Sequence, residues 1–136
     1  MSTMRPAPVN FRLYPHATFS EQVQIKDSDG EPIDLAGRTA RMQVRRGSIN
    51  GELLFDLSST TGELALTDDG YITITIDADL TAPSLSPPID EYGEPWFYDM
   101  LVYNADAERV ERFLQGVIIV LPGVTVPPAT PTPPGP

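Results

Sequence analysis

From Trp96 to Tyr103 the chain alternates: Trp96, Tyr98, Met100 and Val102 fall on one face, and Phe97, Asp99, Leu101 and Tyr103 on the other. That period of two is a β-strand's. The return run from Val110 to Leu121 is rich in Val and Ile, whose branched Cβ suits a pleated backbone. Apolar residues occupy both of its faces from Val117 to Leu121, which predicts that this end lies between layers. Polar residues from Asn104 to Glu108 supply a turn, and Gly116 points to a bulge or a close backbone approach. A hairpin of this kind needs about three strands or a second layer to be stable in water, so the rest of the chain must cover it.

The upstream pattern supplies that cover. Val9, Phe11 and Leu13 alternate behind Pro6 and Pro8, as a loose arm leading into a short edge strand. Phe19, Val23 and Ile25 share a face, as do Ala40, Met42 and Val44 opposite Thr39, Arg41, Gln43 and Arg45. Leu53, Phe55 and Leu57 align next, then Leu64 with Leu66, then Ile72, Ile74 and Ile76 opposite Tyr71, Thr73 and Thr75. Asp29-Gly30, Asn50-Gly51, Thr61-Gly62 and Asp69-Gly70 punctuate these runs, and short alternating strands with such turns predict an antiparallel β-sandwich or barrel. Ile33 and Leu35 are placed to tuck under the sheet edge. Asp77 to Leu85 has room for one helical turn capped by Asp77, which Pro83 stops.

Beyond Leu121 the pattern ends in a proline-laden segment, Pro122 to Pro136, predicted to be an extended, polyproline-like arm. The chain thus divides into an arm and edge strand over residues 1–15, a β-domain over 16–121 and an extended arm over 122–136. Stiffness lowers the entropy lost when such an arm lies along another protein, and it also suits a spacer. If the arm docks, the candidate contact residues are Pro122, Val124, Val126, Pro127 and Pro128, then Pro131, Pro133 and Pro134.

Composition narrows the functional classes. In 136 residues, 40% hydrophobic, there is material for one core. No cysteine is present, which removes disulfides and thiolate ligands. A net charge of -10 argues against a nucleic-acid partner, because phosphate binding rests on a basic surface. No apolar run approaches the roughly 20 residues of a membrane helix, and no signal pattern opens the chain, so a soluble protein is expected, with no membrane partner.

Candidate chemistry is sparse. His16 is the single histidine, too few for a histidine metal cluster, and no nucleophile motif accompanies it. Asp27, Asp29 and Glu31 resemble a calcium loop, but the glycine comes too early and Arg38 stands at the twelfth position; a tight turn is the better reading. Carboxylates cluster in turns, with no phosphate cradle or nucleophile elbow. The expectation is therefore no catalysis, no metal and no cofactor. Arg41 and Arg45 gather positive charge on one strand face, either as a docking stripe for an acidic partner or, more commonly, opposite carboxylates of a neighbouring strand. Tyr92 and Trp96, at the exit of the proline-containing loop from Ser84 to Pro95, form a candidate aromatic platform for a sugar or protein, against the plainer reading of Trp96 as core.

The order of motifs carries a resemblance. A strand ending near Asp29-Gly30, then Ile33-Asp34-Leu35-Ala36-Gly37, Ala40-Arg41-Met42-Gln43-Val44-Arg45, Tyr98-Asp99-Met100 and finally Gly116-Val117-Ile118-Ile119-Val120 to Val124-Thr125 resembles small β-sandwich virion proteins of tailed bacteriophages. It is similar to the immunoglobulin-like amino-terminal domains of tail and upper-baseplate proteins, over residues 11–125. The resemblance implies an all-β, antiparallel immunoglobulin-like sandwich of about seven to eight strands, with extended Pro-rich termini. It further implies a non-enzymatic tail-associated, adaptor or decoration subunit, made in the host bacterial cytoplasm and built into the virion. Its partners would be other virion proteins and further copies of itself. A glycan-binding module for host-surface adhesion is the alternative.

Overall fold

The computed structural model describes residues 7–82, 85–104 and 109–123. These residues form nine strands and no helix: β1 (Ala7–Pro8), β2 (Phe11–Leu13), β3 (Phe19–Gln24), β4 (Thr39–Arg46), β5 (Leu53–Ser58), β6 (Leu64–Leu66), β7 (Tyr71–Ile76), β8 (Glu94–Tyr103) and β9 (Val110–Val120). One sheet has the order β1-β9-β8-β4-β5, with β2 also on β9, and the other the order β3-β7-β6. Both contribute to one core, the layered arrangement of a β-sandwich.

Alternation decides which side chains reach that core. Met42, Val44, Trp96, Met100, Val102 and Ile118 from the large sheet meet Ile72, Ile74 and Ile76 from the small one, all at most 2% exposed. Phe11 of β2 and Phe19 of β3 bridge the layers edge to face, 5.8 Å between ring centres. Leu35 is fully buried below the sheet edge and Ile33 packs at its margin. In the turn before it, Asp27 Oδ1 accepts from the N–H groups of Asp29 and Glu31, and Gly30 adopts φ 82°, so the acidic trio closes a turn.

Four expectations change. The large sheet is mixed, because β1 and β2 run parallel to β9; the open edge of this long strand takes the first described segment of the chain, with Pro8 at an edge position where its missing N–H is tolerated. Residues 7–13 therefore belong to the sheet, and Phe11 and Leu13 to the core. Leu53 does not align with Phe55 and Leu57: a bulge pairs Val44 with Phe55 but Arg45 with Leu53, which turns Leu53 outward. Between Val117 and Leu121 only Ile118 and Val120 are buried, while Val117, Ile119 and Leu121 are half-buried on the outer face. Asp77 opens a single hydrogen-bonded turn, Leu80 N–H to Asp77 C=O at 2.9 Å, and no helix. The turn residues 105–108 lie outside the described part.

The small sheet has its own edge protection. Glu21 registers with Ile74 and so stands on the core-facing row of β3, yet it is exposed; an inward-row charge on an edge strand discourages pairing with another chain.

Candidate functional site

The outer face of the large sheet carries Arg41 and Arg45, the two residues of the expected basic stripe, among other polar and charged side chains. Strand register lays them in rows: Arg45, Phe97 and Val117 in one, Asp56, Gln43, Asp99 and Gln115 in the next, Arg41, Leu101 and Arg112 in a third. Arg41 grips Asp56 through Nε–Oδ1 at 2.9 Å and Nη2–Oδ2 at 2.6 Å. This bond is the main reason the Asp56 carboxyl titrates below its ordinary range. Both partners are open to solvent, which screens the pair. Arg112 pairs with Asp99 at 3.0 Å. Of the two expected stripe residues, Arg41 thus meets a carboxylate on the neighbouring strand, whereas half-buried Arg45 donates to Gly51 C=O at 3.1 Å.

Between these rows lies an open concavity of about 580 Å³ with a floor of Phe97, Gly116 and Val117 and a rim that includes Pro8, Arg45, Ile49, Arg112 and Gln115. Ile49, in the β4–β5 turn, is 75% exposed. The sequence held a sign of this surface in the apolar residues on both faces of β9, which the prediction assigned to a second layer.

The loop before β8 is pinned at its exit. Arg46 donates through Nε to Glu94 Oε2 at 2.8 Å and through Nη2 to Glu94 Oε1 at 3.0 Å and to the Pro87 carbonyl. Buried Trp96 adds an indole N–H to Glu94 Oε2 at 2.7 Å. Nearer the tip, Asp90 Oδ1 accepts from Tyr92 N–H at 2.9 Å, and Gly93 at φ 94° completes the reversal. The turn presents Tyr92 at 84% exposure, whereas Trp96 is fully buried against Phe55, 5.8 Å between rings. Trp96 thus takes the plainer of its two readings, a core residue, and the candidate platform shared by Tyr92 and Trp96 is absent, because alternation sends Trp96 into the core. Of the candidate arm residues, Pro122 is exposed; Val124, Val126, Pro127, Pro128, Pro131, Pro133 and Pro134 lie outside the described residues.

Arg46 and Glu94 were not singled out by sequence, since a carboxylate forty-eight residues away leaves no local spacing signal. Hydrogen bonding from Arg46 is the largest reason the Glu94 carboxyl is held below its ordinary value near 4.5. A folded value below the unfolded one means stabilisation present above about pH 4.5 and lost as the pH falls through the depressed value. Arg46→Met is expected to cost about 2 kcal/mol at neutral pH and to lose less on acidification than the native chain. Urea melts at about pH 7 and about pH 3 would show the two losses; an equal acid loss in both proteins would refute the assignment.

No protein-family model matches the chain, and no curated protein matches it. The site must therefore be interpreted from its own chemistry. Among the described residues no group of three His, Cys, Asp or Glu side chains is placed to hold a metal ion, and no helix is long and apolar enough to cross a membrane.

Proposed function

We propose that the protein is a bacteriophage virion structural protein, a non-enzymatic tail-associated, adaptor or decoration subunit with an immunoglobulin-like sandwich body. It docks on neighbouring virion proteins through its sheet edges and extended arms. The observation that carries this reading is the parallel pairing of β1 and β2 with β9. The chain joins the sheet at Ala7 beside Leu114 and leaves beyond Val120 beside Leu13, with Gly123 close to the Pro15 carbonyl. The described chain thus meets this sheet edge at Ala7 at one end and leaves it at Gly123 at the other, and under this reading the segments beyond those two points are the ones that reach neighbouring subunits. The order of sequence motifs supports the same reading. The alternative, a glycan-binding module, keeps Tyr92 but loses the ring of Trp96 as a stacking face.

Deleting residues 122–136 tests the proposal. The shortened chain should keep its circular dichroism spectrum, because the described core ends at Val120, yet be missing from purified particles when supplied in place of the full chain. Normal incorporation would overturn the docking role of this arm.

A further inference from the structure

The concavity and the loop tip of the large sheet complement one another. Tyr92 is the most exposed large apolar side chain in the described structure, fixed on a turn closed by Asp90 and Gly93 and flanked by the exposed carboxylate of Glu91. A rigidly presented tyrosine loses little entropy on binding, and tyrosines dominate interface energetics. The concavity offers the matching half: an apolar floor of Phe97 and Val117, the exposed Ile49 at its rim, and two guanidinium groups, Arg45 and Arg112, against one carboxylate, Asp99. This is a locally cationic hollow in a chain whose net charge is -10. Tyr92 does not fill the hollow of its own chain, since 84% of it faces solvent.

We propose that the Tyr92 turn of one copy seats in the concavity of a second copy, ring on Phe97 and Val117, with Glu91 facing the Arg45 and Arg112 rim. The contact rests on the virion-subunit reading and names one partner for it, another copy of this chain. Charge complementarity selects that partner: an acidic aromatic knob fits a cationic apolar hollow, while the remainder of an acidic surface would repel its own kind. Knob and hollow are different surfaces, so copies join either reciprocally about a two-fold axis or head to tail in a ring.

Sedimentation velocity of the full chain across a concentration series tests this. The native protein should associate, and the association should weaken as salt rises, because the contact is held by opposite charges; association driven only by relief of the overall negative charge would strengthen. Tyr92→Ala should weaken self-association about thirtyfold. Ile49→Glu should weaken it and Ile49→Lys strengthen it, since the new charge repels or attracts Glu91. Both positions are exposed, so unchanged melting curves are expected to accompany these shifts. A native chain that stays monomeric at the highest soluble concentration, or association indifferent to both substitutions, would overturn the contact. A monomer that still enters particles would do so while leaving the virion role standing; exclusion of an associating, folded chain from particles would sink the role and not the contact.

Discussion

Replacing Ile74 with aspartate is expected to leave no folded protein. Ile74 is fully buried at the centre of β7, the middle strand of the small sheet, between Leu64 of β6 and the Glu21 position of β3. Its row also holds Ile72 and Ile76, at most 1% exposed, so an aspartate there would have apolar neighbours on its own strand. The one polar side chain registered with it is Glu21, whose negative charge adds repulsion instead of a partner. An unpaired buried carboxylate costs several kcal/mol at least, and natural domains hold only about 5–15 kcal/mol in all. Either the domain unfolds or the aspartate takes up a proton, and the second outcome still loses the apolar contacts. Ile74→Val, which removes one methylene, should cost only about 1 kcal/mol. Circular dichroism and thermal melting of the pair decide the matter: a native-like melt for the aspartate variant would mean that the Ile72-Ile74-Ile76 row does not face the core.

That row was legible in the sequence because alternation acts locally. The same holds for Ala40, Met42 and Val44, for Trp96, Tyr98, Met100 and Val102 of β8, and for the Asp27 turn. What stayed hidden depends on relations between distant segments. A one-residue bulge at Leu54 reverses the facing of Leu53, and neither strand shows it alone. The parallel docking of β1 and β2 on β9 leaves no turn signature, since no short loop joins them. The outer face of β9 departs from its expected burial for a related reason. Apolar residues on both faces of β9 mark a strand covered twice, or a strand with one face covered and the other presented, and periodicity does not separate the two. Arg46 carries no local sign of its role, because its partner Glu94 lies across the β4–β8 pair, where it makes Arg46 the anchor of the loop that carries Tyr92.

Gly116→Val should give the second large effect, and it tests the edge from which the proposed arms depart. Gly116 sits on β9 opposite Tyr98, where the first described segment crosses close above it. A Cβ at this position would lie 2.2 Å from the Val9 carbonyl oxygen and 2.9 Å from Asn10 Oδ1, both held in place by bonds of their own. Val9 C=O accepts from the Tyr98 hydroxyl at 2.5 Å, and Asn10 Oδ1 accepts from Val117 N–H at 3.0 Å. Tyr98 is buried, which pushes its phenol well above the usual range, so the hydroxyl stays protonated as a donor and would be orphaned if Val9 moved. Backbone cannot yield as a flexible side chain does, so β1 and β2 must lift from β9. Overpacking at about 1–3 kcal/mol plus two lost hydrogen bonds at about 1 kcal/mol each gives a loss of about 4 kcal/mol. That corresponds to a melting temperature lower by about 10–20 °C. Phe11 and Leu13 would leave the core with the lifted segment, so protease should cut near residues 7–13 before it cuts elsewhere. Asn10→Ala removes one hydrogen bond without the clash and should lose about 1 kcal/mol. A Gly116→Val protein that melts with the native chain and resists cleavage there would show that the first segment does not lie on β9, and the two-sided placement of the arms would fall with it.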